Sequence, residues 1–243
     1  MALYEGPNII KTGLVICLDA ANPVSYPGSG ASWYDLSGNN YTGTLLNSPS
    51  YSSGSINFDG TNDYANPGGA ADLYAWTANG SVGNSTLTYQ VWIKTSDESG
   101  YIISKPWNGS GRYNILISAG SFRVLVGSGG NDYSYELGYA VSVATGNWTH
   151  LTLWANSSQM GYYINGGQYS GAASHGLTGG ASVIGNNGLP LCLMTLYPYG
   201  EGWGGNTGFS IAGNISLFRA YNRQLSAAEV LQNYNSTKGR FGL

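Results

Sequence analysis

Three aromatic, amide-rich segments hold the residues of this sequence best suited to contact chemistry. Lys105–Tyr113 contains Trp107, Asn108, Arg112 and Tyr113. Asn131–Tyr135 contains Asp132, Tyr133 and Tyr135, and the stretch over 189–209 contains Tyr197, Tyr199, Glu201, Trp203 and Asn206. A flat ring covers an apolar C–H face while losing little side-chain entropy, and a neighbouring Asn, Asp, Glu or Arg bonds a rim of hydroxyls. The same residue types anchor protein interfaces. Tyr133 and Tyr135 alternate as cross-strand partners within a sheet do. Trp107 and Trp203 sit among Gly and Asn and are expected at the surface. Leaving out Tyr133 and Tyr135, these residues form the candidate ligand set, for a glycan or for a protein.

Catalytic constellations are thinner. Glycoside hydrolysis needs two carboxylates about 5–10 Å apart. Asp132 and Glu136 are the nearest pair, at an even spacing that permits one strand face, but two solvated acids at a strand and its turn account for them more simply. Glu201 stands alone and reads as a hydroxyl binder. The sequence has no G-x-S-x-G elbow and no phosphate-binding P-loop. His150 starts a strand and reads as structural; His175 lies in a surface turn. Neither has the spaced partners of a zinc site. No catalytic residue and no metal ligand is assigned, and no cofactor is required. Asp19, Asp59, Asn62 and Asp63 offer hard oxygens, which leaves a structural calcium ion as an option, although Asp59-Gly60 and Asn62-Asp63 are also ordinary turn formers.

Composition narrows the partners. Charged residues make up 9% of the 243 residues and the net charge is −3. A nucleic-acid binder needs a basic face to displace phosphate counterions, and the nine Lys and Arg are scattered. Neither nucleic acid nor membrane is expected as a partner. Cys17 and Cys192 are expected to remain free thiols. The opening MALYEGPNIIKTG lacks the basic start and sustained apolar stretch of a secretion signal, so synthesis in a cytoplasm is expected.

The elements that must position the contact residues are strands. Short apolar segments recur between Gly/Asn/Ser clusters, the spacing of a sandwich or barrel. In Thr86–Lys94, Leu87, Tyr89, Val91 and Ile93 fall on one face, and Thr86, Thr88, Gln90 and Trp92 on the other, which predicts a strand with one face in the core. Further strands are expected at Leu14–Asp19, Ser55–Phe58, Tyr101–Ser104, Tyr113–Ser118, Phe122–Val126, Tyr133–Leu137, His150–Ala155, Met160–Ile164, Ala181–Ile184 and Ile215–Tyr221. Trp92, Trp148 and Trp154 are expected in the core. Asn165-Gly166 predicts a tight hairpin. Ser226 and Glu229 have capping-box spacing, predicting a short helix over Ala227–Asn235 on the sandwich edge, with Ala227, Leu231 and Tyr234 on one face. The stretch over 189–209 reads as an irregular loop.

Several blocks occur in a recognisable order. GLVICLDAANPVSYPGSGASWYDLSGNNYTGTL is followed by INFDGTNDYA, then by YQVWIK, IISKPWNGSGRYNILIS and NWTHLTLWANSSQMGYYINGGQ, and finally by GNISLFRAYNRQLSAAEVLQNYNSTKGRFGL. Together they resemble the laminin-G-like, concanavalin A-like jelly-roll domains of phage and bacterial surface proteins. The last block is similar to the C-terminus of tailed-phage virion proteins. The resemblance implies an all-β, two-sheet antiparallel jelly-roll sandwich over residues 1–243, with one short C-terminal helix. It also implies binding of glycans or of other virion proteins, assembly on a particle or as a homo-oligomer, and a place in a virion or, alternatively, on a bacterial cell surface. Fold relatives that hydrolyse β-glucans carry E-x-D-x-x-E on one strand. This sequence has no such motif, and a binding role is expected instead: a glycan-binding accessory protein, or a purely structural decoration or tail component. The segment over 189–209 is longer than the usual connection, which places any transferred binding site there in question.

Overall fold

A computed structural model describes residues 8–68, 86–105, 112–118, 121–127, 134–156, 159–168, 173–174, 191–196 and 209–243. The strands are β1 (Leu14–Asp19), β2 (Ser32–Trp33), β3 (Gly43–Leu46), β4 (Ser50–Ser52), β5 (Ser55–Asp59), β6 (Tyr64–Asn66), β7 (Leu87–Lys94), β8 (Gly100–Lys105) and β9 (Arg112–Ser118). They continue with β10 (Ser121–Gly127), β11 (Ser134–Ser142), β12 (Trp148–Ala155), β13 (Gln159–Ile164), β14 (Gly167–Gln168), β15 (Ala173–Ser174), β16 (Cys192–Leu193) and β17 (Ala212–Tyr221). Helix α1 (Ala227–Asn235) and a 3-10 turn over Lys238–Phe241 close the chain. The first sheet runs β14-β13-β12-β7-β17-β5-β4, with β1 also on β17 and β15 on β13; the second runs β11-β10-β9-β8-β16-β6-β3-β2. Pairing is antiparallel throughout the described strands, as in β7 on β12 and β8 on β9. The architecture is the jelly-roll sandwich that the blocks imply.

The core lies between the sheets. Leu87, Tyr89, Val91 and Ile93 of β7 join Leu151 and Leu153 of β12 and Met160 and Tyr162 of β13, facing Trp33, Leu45, Ile102, Ile103 and Leu193 of the second sheet. In β17 the inward residues are Ile215, Phe218 and Ala220. The change from odd to even numbers is made by a register shift between Ile215 and Leu217, where one extra residue turns the alternation over. The Asn165-Gly166 hairpin forms as expected between β13 and β14, with both residues at positive φ (50° and 76°).

Three features depart from the sequence reading. The second face of β7 is buried too: Thr88, Gln90 and Trp92 have no exposed surface. The cause is α1, which covers the outer face of the first sheet rather than the sandwich edge. Its buried residues are Val230 and Asn233, while Ala227 and Leu231 are exposed. The helix turns this face inward because Asn233 finds polar partners there. Its amide donates to Gln90 Oε1 (2.9 Å) and the Tyr221 hydroxyl (3.0 Å), and its oxygen accepts from the Ile10 N–H (2.8 Å). Trp92 donates to Thr237 Oγ1 (2.8 Å) and stacks on Phe241 with ring centroids 4.1 Å apart. Finally, the start of the 189–209 stretch is not loop. Leu191–Met194 are fully buried, and β16 pairs with β6 and β8, because an apolar run gains more by filling the second sheet than by lying in water.

Other residues fall as follows. Trp92 and Trp154 are buried, Trp148 is half-buried against Phe241, and Cys17 and Cys192 are free and buried. The expected strand at Ala181–Ile184 lies outside the described residues. The capping box is present: Ser226 Oγ accepts from the Glu229 N–H, and the Glu229 carboxylate accepts from the Ser226 N–H at 2.8 Å. Val230 and Leu225 share a cluster with Trp154, Tyr163 and Tyr221.

Candidate functional site

Most of the aromatic set singled out above lies outside the described residues: Trp107, Asn108, Asp132, Tyr197, Tyr199, Glu201, Trp203 and Asn206, and His175 with them. Arg112 and Tyr113 open β9, where the backbone of Tyr113 pairs with Lys105 and Val126. A concavity among the described residues lies elsewhere, formed by residues not singled out above.

It is a groove of about 400 Å³ at the end of the sandwich where the terminal strands β4 and β2 run out. One wall is the loop after β1. Asn22 Oδ1 accepts from the Val24 N–H (2.9 Å), and the Tyr26 N–H donates to the Asn22 carbonyl (2.8 Å), which turns the chain back on itself. The Tyr26 hydroxyl donates to the Gly30 carbonyl (2.9 Å) and ties Tyr26-Pro27-Gly28-Ser29-Gly30 into a closed rim. Gly28 and Gly30 sit at φ 93° and 89°, a region open to Gly at no steric cost. The opposite wall is the β3–β4 turn, Asn47-Ser48-Pro49, followed by Tyr51 on β4. Leu45 contributes apolar surface between the walls.

Geometry fixes the aromatic pair. Tyr26 is buried and Tyr51 is 36% exposed, with centroids 5.1 Å apart and planes tilted by 55°. The inner ring thus supports the outer one, which is partly exposed. Burial, with Tyr51 beside it, pushes the Tyr26 hydroxyl above its ordinary range, so it stays protonated and keeps donating to Gly30. Asn47 and Ser48 hold positive φ, 65° and 77°. Two consecutive left-handed non-glycine residues cost on the order of 1–3 kcal/mol each, and strain of this kind gathers at ligand clamps. Asn47 is pinned by its amide, which donates to the Asn62 carbonyl (2.6 Å). Among the described residues Val24, Tyr34 and Tyr51, all within 30 residues of one another in sequence, are exposed large hydrophobics. The signal that would have found the groove is Y-P-G-S-G followed by N-S-P-S-Y, the same mixture of rings, Gly and amides that marked the other segments.

The acids considered for calcium are already engaged. Both oxygens of Asp19 are bonded by the Arg240 guanidinium. Asp59 accepts the Thr61 N–H (2.7 Å), and this bond, the largest cause, holds its carboxyl below the usual range. Asp63 is buried, which raises its pKa. Among the described residues no three His, Cys, Asp or Glu side chains cluster as a metal centre would require.

The two antiparallel sheets and single short helix define a concanavalin A-like jelly-roll domain. The sequence profile of the concanavalin A-like lectin/glucanases superfamily (Laminin_G_3) matches residues 59–231, and the chain belongs to that family. No curated protein matches it in sequence. Among solved structures it is similar to the binding domain of Paraclostridial Mosquitocidal Protein 1, with TM-score 0.66 and 17% identity over 93% of this chain and 52% of that one. It is similar as well to botulinum neurotoxin type C, described as interacting with two ganglioside molecules, with TM-score 0.64 and 14% identity over 93% and 52% of the two chains. A third similar structure is domain 4 of AbnA, an extracellular GH43 arabinanase from Geobacillus stearothermophilus, in complex with arabinotriose (TM-score 0.65, 15% identity, 91% and 98%). The chain spans about half the length of the toxin structures it matches. Among the described residues no helix is long and apolar enough to cross a membrane.

Proposed function

We propose that the protein is a non-catalytic glycan-binding module, working as an accessory component of a tailed-phage virion and holding saccharide in the Tyr26–Tyr51 groove. The observation that carries this reading is the groove itself: a half-exposed ring braced by a second ring, flanked by Ser and Asn, with no carboxylate in its lining. Hydrolysis would call for two carboxylates about the bond. Membership of a lectin and glucanase superfamily supports it, as do the ganglioside and arabinotriose bound by similar domains. The virion setting rests on the sequence blocks. A printed glycan array probed with the purified chain tests the binding: reproducible hits without release of reducing sugar are expected, and an array without hits refutes the reading. Because Asp19 and Asp59 are already bonded within the chain, binding is expected to survive EDTA.

A second reading, a structural decoration or tail component, is supported by the exposed terminal strand β4 and by Val24, which is 72% exposed. It predicts that the chain is present in purified particles at the copy number of a capsid or tail protein, with Val24 and Tyr51 protected from labelling there.

A further inference from the structure

We propose that the groove selects uncharged saccharides, a specificity that rests on the glycan-binding reading above. Every side chain lining it among the described residues is neutral. A sialic acid or uronic acid carboxylate entering it would lose hydration without gaining a cation, and an uncompensated buried charge is strongly disfavoured. Arg240, the cation that reaches the end of β1 where the groove loop begins, is committed to Asp19 through both carboxylate oxygens. The overall charge of −3 adds a weak repulsion to any anion. What the groove does offer suits a neutral ring. The electron-rich face of Tyr51 attracts the positively polarised C–H bonds of a sugar. The Tyr51 hydroxyl has no hydrogen-bond partner among the described residues, and Asn47, whose amide nitrogen is bonded to Asn62, keeps its side-chain oxygen as an acceptor. Ser29 and Ser48 add hydroxyls on opposite walls. The volume lies near the lower end of the range for small-ligand sites, roughly 300–1,000 Å³, which gives room for roughly one or two sugar rings rather than a long chain.

The test pairs an array of neutral oligosaccharides (glucan, galactan, mannan and arabinan fragments) with sialylated and uronate-bearing ones, probed with the natural chain and two variants. Tyr51→Ala removes the exposed ring; Ser29→Trp fills the groove from an exposed loop without removing any packing. The expected result is binding confined to neutral glycans and weakened at least tenfold by each variant whose unfolding midpoint is unchanged, as for loss of an aromatic anchor. If Tyr51→Ala lowers the midpoint, Ser29→Trp carries the test alone. Binding only to acidic glycans, weakening as salt rises, overturns the neutral specificity and leaves glycan binding standing. Neutral binding that both folded variants retain overturns the groove as the site. No binding to any glycan overturns the broader reading as well.

Discussion

His150 gives the sharpest test of the energetics, because replacing a polar residue with an apolar one is expected to help. The imidazole is fully buried between Trp92 and Tyr234, with centroids 5.1 and 5.8 Å away, and neither ring nitrogen has a hydrogen-bond partner among the described residues. An unpaired buried polar group costs about 1–3 kcal/mol. His150→Phe keeps the ring in the stack and removes both nitrogens, while the extra bulk costs about 1–3 kcal/mol of overpacking. Relief of both unpaired nitrogens, about 2–6 kcal/mol, set against that cost leaves the variant between about 1 kcal/mol less and about 5 kcal/mol more stable at pH 7.5. Acid separates the two proteins further. Burial, then Arg219, pulls the His150 pKa from 6.5 down to about 3. Above pH 6.5 the imidazole is neutral in both the folded and the unfolded chain and stability does not respond to it. Below 6.5 the unfolded chain takes up a proton that the folded chain refuses, so stability falls until the pH reaches about 3. At pH 5.0 the loss is about 2 kcal/mol, and His150→Phe abolishes it. Urea unfolding at pH 7.5 and 5.0 measures both quantities. A variant that is more than about 1 kcal/mol less stable at pH 7.5, or that loses as much stability on acidification as the natural chain, refutes the reasoning.

Asn233→Ala should cost about 2–6 kcal/mol in urea unfolding, since it strands Gln90 Oε1 and the Ile10 N–H beneath α1 and each orphaned group carries a penalty of about 1–3 kcal/mol. Glu229→Gln should destabilise at neutral pH by about 1 kcal/mol through the weakened cap and the lost Arg223 pair. The Arg223 bond, as the largest cause, lowers the Glu229 pKa from 4.5 to about 2, so the natural chain's advantage is complete above pH 4.5 and fades as the pH falls towards 2. Gly166→Val should cost more than about 1 kcal/mol, because φ is 76° and a Cβ there would lie 2.9 Å from Tyr234 Cδ1; thermal unfolding reads it directly.

Much of the fold is legible in the residues. Periods of two located β1, β7, β12 and β13 to within a residue or two, and the Ser226/Glu229 pair placed α1 with its cap. What local pattern does not carry is which surface an element covers. Gln90 and Thr88 read as the solvent side of a strand, and only the return of α1 across β7 and β17, more than a hundred residues later, buries them. Helical spacing does not show that Asn233 is buried, because its partners lie on β7, on β17 and in the segment before β1. Short strands such as β2, β6 and β16 hold two or three residues each, too few to show a period. The groove escaped notice because its two walls, residues 26–31 and 45–51, each look like an ordinary turn until the sheets bring them face to face.

Strand β17 touches β1, β5 and β7 at once, which sets the timing of synthesis. Until residue 221 leaves the ribosome, the larger sheet lacks its middle, and the strands on either side expose apolar faces and unpaired backbone. Closure of the sheet therefore waits for β17, and folding is dominated by distant pairings and correspondingly slow. During that interval the nascent polypeptide is open to aggregation, and a cell producing it in bulk must shield those strands until their partner arrives.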